Sequence, residues 1–223
     1  IPFVGETTAK CPSVVVSLNQ AAEGVWQGYD RAIRNNIKQA EGAGVTVVSD
    51  PRCERLEEFL TVYNATMNRL GALSTYYYPK SFFKKLFLQF PDQCVLFHAL
   101  HQNSVVSSEL VLLSPRSIYS FLGGTRPEGL DTRAHQLLRH AINMWGQERG
   151  KERVILGGGY ADKDGLFRYK KKFSPHSEIS FSVGTRIFDY DGYQSLAQTR
   201  LEWETAHGNE WCPRAGFFPL YRC

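Results

Sequence analysis

The sequence is poor in the residue patterns that would announce a metal site, a disulfide scaffold or a membrane span. Its five cysteines, Cys11, Cys53, Cys94, Cys212 and Cys223, are odd in number and far apart, with no CxxC or CxxH spacing. This argues against a disulfide framework and a zinc site, and predicts reduced thiols. His98, His101, His135, His140, His176 and His207 show no metal-ligand spacing, and no cysteine lies in a motif that would suit a Cys–His nucleophile. Apolar runs such as 110–113 are far shorter than the roughly 18 residues of a membrane helix. The opening IPFVGETTAK has no basic segment followed by an apolar stretch, so no signal peptide is visible and a cytoplasmic location is expected. The chain starts with Ile and reaches an apolar run almost at once, as a fragment or a processed product would. Charge of one sign is lacking too. The 26 basic and 22 acidic side chains leave a net charge of +4, which permits a phosphate-bearing partner without demanding one.

What is present is enough apolar material for a core. The 223 residues are 43% hydrophobic and 13% aromatic, and neither repeats nor low-complexity tracts divide them. A strand is predicted over 14–18, then a helix over 21–41 in which Val25, Tyr29, Ile33, Ile37 and Ala40 recur at helical spacing. A strand over 45–48 precedes two amphipathic helices, 54–70 and 80–90, each with an apolar stripe. Runs at 94–101, 105–113 and 118–122, joined by short turns, predict an antiparallel meander. A helix over 132–149 then leads to a strand at 153–156 that joins the sheet as a crossover. The remainder predicts a glycine-rich turn, a short helix over 165–173, a strand over 179–188 and a helix over 193–207.

Several features are suited to chemistry, each beside a plainer reading. Arg31, Arg34 and Lys38 form a basic stripe that is either a solvated face or a phosphate contact. Gly157, Gly158 and Gly159 allow close backbone approach, for packing or for a ligand. Lys170, Lys171 and Lys172 follow within the short helix; one of them turned inward would bring a cation to that turn, whereas all three are otherwise a solvated run. Tyr76, Tyr77, Tyr78 and Pro79 suit either a peptide or sugar groove, or helix entry and core packing. The segment from Gly123 to Thr125 with the following RPEGLDTRA is read as a strand, loop and helix N-terminus, a place where amides can meet an anion. It resembles the Q/R-x-x-G-x-G/A pyrophosphate loop of the GNAT superfamily at Arg126 and Gly129. Asp131 departs from that pattern, and the alternative is an ordinary turn with Asp131 near the helix N-cap.

Taken in order, RAIRNNIKQAEGAGV, YNATMNRLGA, YYYPKSFF, FLGGTRPE, ILGGGYADKDGLFRYKKKF and the terminal FFPLYR resemble the FemAB family, over nearly the whole chain. The resemblance implies an α/β (α+β) fold with a GNAT-like mixed, mostly antiparallel sheet flanked by helices. It implies that residues 1–223 are one GNAT-like domain, the C-terminal half of a longer two-half protein whose N-terminal GNAT-like half completes the site. The implied activity is transfer of an amino acid or other acyl group to an amine of a peptidoglycan-type precursor. Aminoacyl-tRNA or acyl-CoA would serve as co-substrate, with no tightly bound cofactor.

The family's F-K-x-x-F motif falls on Tyr169-Lys170-Lys171-Lys172-Phe173, with Tyr169 in place of the usual Phe, so the resemblance assigns Lys170 to stabilising the acyl-transfer transition state. It assigns Arg34, in R-x-x-I-K-x-A, to substrate phosphate, and places Thr125, Gly158, Tyr160, Tyr169 and Phe173 at the substrate. The long helical arm of the tRNA-using members is absent, which leaves open an acyl-CoA-dependent N-acyltransferase for a sugar or small amine. A half that only binds a substrate or partner is also left open.

Overall fold

Alternation along the strands decides how the sheet is covered. In the computed structural model, which describes residues 3–159, 164–213 and 216–222, the chain forms two compact units, 11–179 and 1–10 with 180–223. Within the larger unit, the part of β1 (Glu6–Ser17) from Cys11 onward and strands β2 (Thr46–Asp50), β3 (Cys94–His101), β4 (Ser104–Leu113), β5 (Ser117–Thr125) and β6 (Arg153–Gly157) lie in the order β2-β3-β4-β5-β6-β1. The neighbours are antiparallel except β5 and β6, which run parallel with Ile118 opposite Val154. The meander and the crossover are therefore as the sequence predicts. The sheet is mixed and mostly antiparallel, flanked by helices.

Successive strand residues point to opposite faces. Leu96 and Leu110 join Phe59, Tyr63, Phe83 and Phe87 in one cluster, under helices α3 (Leu56–Leu70) and α4 (Lys80–Gln89). Their neighbours Phe97 and Val111 join Ile33, Ile37, Leu138 and Ile142 in the other cluster, which is built on the helices before β2 and before β6. Tyr78 belongs with the first cluster and stacks on Phe82 at 4.8 Å, so in that tyrosine run packing explains Tyr78.

The predicted helix over 21–41 is two helices, α1 (Ala22–Gln27) and α2 (Arg31–Gly42). Asp30 causes the break. Its side chain accepts from the Ala32 amide at 2.7 Å as an N-cap, and its own amide donates to the Lys172 carbonyl at 2.7 Å. The apolar period survives the break because Val25, Tyr29 and Ile33 all remain buried. Asp30→Ala is expected to destabilise the protein by about 1 kcal/mol, read as a lower urea midpoint at unchanged slope; an unchanged midpoint would contradict the capping role.

Two further boundaries differ. Strand β5 runs past the predicted 118–122 through Gly123, Gly124 and Thr125: a Cβ on Gly124 would meet Thr66 Oγ1 at 2.6 Å and the Val62 carbonyl at 2.8 Å, so glycine lets α3 lie against the strand. The predicted helix over 132–149 is a short α5 (Pro127–Asp131) followed by α6 (Ala134–Glu148). Asp131 ends α5 and does not cap α6. Arg133 holds the cap position, in the left-handed region at φ 60°.

Helix α7 (Gly165–Lys171) then packs on the α6 side of the sheet through Phe167, and Phe173 beyond its end joins the same cluster. In the smaller unit the outer part of β1 lies beside β7 (Glu178–Thr185), and α8 (Tyr190–Ala206) is tied to the terminal segment. There the Leu220 amide donates to the Tyr193 hydroxyl at 3.0 Å, and Tyr193 stacks on Phe218. Among the described residues no helix is long and apolar enough to cross a membrane.

Candidate active site

Of the three consecutive lysines at the end of the short helix α7, one turns inward. Asp164 caps the helix, accepting from the Phe167 amide at 2.7 Å, and this fixes the register that follows. Lys170 Nζ donates to the Gly158 carbonyl at 2.7 Å. Lys171 instead pairs with Glu178 at 2.6 Å, and Lys172 is exposed. Side-chain direction on a single helical turn thus separates three residues that composition cannot.

The glycine turn makes the partner for Lys170. Gly157 ends β6 at φ +76°, a conformation L side chains avoid, and a Cβ on Gly158 would lie 2.9 Å from the Pro12 carbonyl and 3.2 Å from Cys11 Sγ. The first glycine turns the chain and the second lets it lie against β1, leaving the Gly158 carbonyl aimed at the ammonium. Tyr160 lies outside the described residues.

Burial pushes the Lys170 ammonium down to about 8, helped by the positive charge of Arg139 and opposed by Glu109, Asp164 and Cys11. A group at that value is still mostly cationic at pH 7. It is therefore a charged donor at neutral pH, in a half-buried place where a charge acts more strongly than at a fully exposed surface.

A cavity of about 220 Å³ has a lining that includes Ser107, Glu109, Thr125, His135, Arg139 and Tyr169 but not Lys170. That is smaller than the ~300–1,000 Å³ of sites for drug-sized ligands. Thr125 Oγ1 meets Ser107 Oγ at 2.8 Å, and the Thr125 carbonyl accepts from Arg69 at 3.3 Å. Arg139 pairs with Glu109 at 3.0 Å, both nearly buried, and Ser120 Oγ donates to the same carboxylate at 2.6 Å. Burial pushes the Tyr169 phenol up to about 12, although the nearby charge of Arg139 opposes this. Burial, then Arg139 and Arg133, push His135 down to about 4, so it is neutral at working pH.

Of the expected residues, Tyr169 and Thr125 line this cavity; Lys170 and Gly158 do not, and Lys170 is linked to it through the charges of Arg139 and Glu109, which do. Phe173 is only 1% exposed, with its ring 5.6 Å from Tyr169 and 5.5 Å from Tyr29, and so belongs to the core next to the motif. Arg34 is not in the cavity lining. Its Nη1 donates to the Gln27 carbonyl at 3.1 Å and to that of Tyr29, closing the end of α1.

Several backbone donors of the segment after β5 are already engaged. The amides of Gly129, Leu130, Thr132 and Arg133 are engaged by the Arg126, Glu128 and Leu130 carbonyls. Gly129 serves close packing, since a Cβ there would lie 2.4 Å from the Val106 carbonyl. Among the described residues no cluster of His, Cys, Asp and Glu could hold a metal ion.

Sequence reasoning passed over Glu109, Arg139, His135 and Ser107. Two signals mark them: Glu109 is the one charge in SVVSSELVLL, and His135, Arg139 and Asn143 recur every fourth residue on α6.

The sequence profile described as an acetyltransferase (GNAT) domain matches residues 28–171, well over half of the chain and including Lys170. No curated protein matches the sequence. Among solved structures, FemX is similar at 14% identity and a TM-score of 0.67, over 84% of this chain and 64% of that one. L-PGS from Bacillus licheniformis is similar at 14% identity and a TM-score of 0.59, over 87% of this chain and 66% of the other. The C-terminal domain of a putative lysylphosphatidylglycerol synthetase from Agrobacterium fabrum matches at 11% identity and a TM-score of 0.57, over 88% and 66%. At these identities the likeness is one of fold. This chain spans about two thirds of the length of each.

Proposed function

Because the chain belongs to the acetyltransferase (GNAT) domain family, we propose that it is an acyltransferase that moves an amino acid or other acyl group onto an amine of a peptidoglycan-type precursor. The observation that carries this reading is the ammonium of Lys170, drawn out of a run of three lysines and held where it feels the charges of Arg139 and Glu109, which line a small cavity. When an amine attacks the acyl carbonyl, a C–N bond forms and the carbonyl oxygen gathers negative charge. The tetrahedral centre then collapses, the bond to the leaving group breaks, and the amine's proton passes to the departing atom or to solvent. A preorganised cation is most effective at the oxygen where that charge develops. In this reading Lys170 supplies it, exchanging its ground-state bond to Gly158 for one to the oxyanion.

Thr125 and Tyr169 would line the acyl end of the site, with Gly158 setting the backbone beside it. Arg34 would meet a precursor phosphate only by giving up its bonds to the carbonyls that end α1. The acceptor would be completed by a second GNAT-like half of the same protein.

For the donor, the engaged amides and the packed Gly129 after β5 speak for aminoacyl-tRNA over a coenzyme A pyrophosphate bound in that loop. Acyl-CoA remains the second reading, favoured by the family to which the chain belongs. The intact protein should be incubated with a peptidoglycan precursor peptide and either charged tRNAs or acyl-CoA, with mass spectrometry of the acceptor. The expected result is an acceptor heavier by one aminoacyl residue. Product from acyl-CoA alone on a sugar or small amine would establish the second reading, and no product with any donor would leave a domain that only binds.

A further inference from the structure

Both aromatic residues that flank Lys170 in its motif lie beside one side chain from a different helix. The Tyr169 phenol lies close enough to Arg139 for the guanidinium charge to act on it, and the Phe173 ring centroid lies 5.8 Å from the Arg139 guanidinium carbon. Arg139 stands on α6 and is anchored to the sheet: Nη2 pairs with Glu109 of β4 at 3.0 Å, and Nη1 reaches Ser120 Oγ of β5 at 3.4 Å. Ser120 in turn donates to the other oxygen of Glu109. A charged pair only 13% and 7% exposed is costly to bury, and the bonds made by Nη1 and Nη2 offset that cost although the buried Nε has no hydrogen-bond partner. Such a planar, forked group holds direction in a way that an ammonium does not.

We propose that Arg139 is a positioning residue for acyl transfer: fixed to the sheet by Glu109 and Ser120, it grips Tyr169 and Phe173 from outside α7 and so sets where the Lys170 ammonium points. The proposal rests on the acyltransferase reading given above. A seven-residue helix has little rigidity of its own. Without the grip, α7 keeps its Asp164 cap but loses a link between its side chains and the strands that line the cavity. A second consequence is electrostatic. The groups that face Lys170 are Arg139 from α6, Glu109 from β4, Cys11 from β1 and Asp164 at the start of its own helix, with the Gly158 carbonyl beyond β6. Removing the Arg139 charge therefore makes Lys170 easier to protonate, whereas removing the Glu109 charge makes it harder.

The test is competitive acetic anhydride labelling of Lys170 against pH in the intact protein, read by mass spectrometry, together with kcat and KM. Glu109→Gln is expected to move the labelling midpoint down and Arg139→Gln to move it up, each by about half a pH unit or more. The double variant, which strands no buried charge, should return the midpoint towards that of the parent. Arg139→Gln is expected to lower kcat about tenfold or more with KM within about twofold, and Arg139→Lys to restore only part. Midpoints unmoved in both single variants overturn the proposal whatever the activity. Midpoints that move as stated while Lys170→Met retains full turnover sink the catalytic role of Lys170 and leave the positioning intact. If a single variant does not fold, Tyr169→Phe carries the test, because it removes only the phenol that lies by Arg139. An unchanged kcat and midpoint there overturn the proposal.

Discussion

Lys170→Met is expected to lower kcat by about 10²–10³-fold, the usual cost of losing one oxyanion donor, with a much smaller change in KM. The reasoning starts from geometry. Met reproduces most of the lysine stem, so the packing of α7 against the α6 side of the sheet is kept while the ammonium and its 2.7 Å bond to Gly158 are lost. An interaction that is stronger in the transition state than in the ground state shows in kcat, which separates this role from simple binding. Lys171→Met and Lys172→Met are the controls. One loses a half-exposed pair with Glu178 and the other a solvated charge, and neither is expected to change turnover more than about twofold. The pH profile gives an independent check on the sign. Because burial has pulled Lys170 down to about 8, the cation is present below that pH and lost above it, so activity should fall as pH rises through about 8. A lysine of ordinary value would hold activity to beyond pH 10. If Lys170→Met turns over like the parent, the assignment is wrong.

How much of this was legible in the sequence depends on the range of the interactions concerned. The sheet, its meander and its crossover were legible because period-two and period-3.6 apolar patterns are local. The break between α1 and α2 was not, because Val25, Tyr29 and Ile33 keep helical spacing across it and only the Asp30 cap, itself tied to the distant Lys172 carbonyl, reveals it. In the same way the reason for Gly124 and Gly129 was not legible, because it is a neighbouring backbone or side chain brought close by the fold. The candidate site divides along the same line. A motif register singled out Lys170. Glu109 and Arg139 are thirty residues apart on a strand and a helix, and only tertiary packing makes them a pair.

Phe173→Ala is expected to destabilise the protein by about 3–5 kcal/mol, the range for emptying a buried aromatic site. The ring is 1% exposed and meets Tyr29, Tyr169 and the Arg139 guanidinium, so no single neighbour can move in to fill its place. Against a typical stability of about 5–15 kcal/mol, that loss removes a large share. Urea denaturation of the two variants gives the measurement: Phe173→Ala should show a much lower midpoint at unchanged slope, and Phe173→Leu, which keeps most of the volume, a smaller fall. The same pair of variants separates two roles for this position. A wall of the core predicts that activity follows the folded fraction, with Phe173→Leu nearly as active per folded molecule as the parent. Direct contact with substrate predicts a raised KM in Phe173→Leu with little loss of stability. The burial of the ring favours the first outcome. In that case the second aromatic of the Tyr169-Lys170-Lys171-Lys172-Phe173 motif serves the chemistry indirectly, by filling the core next to the motif.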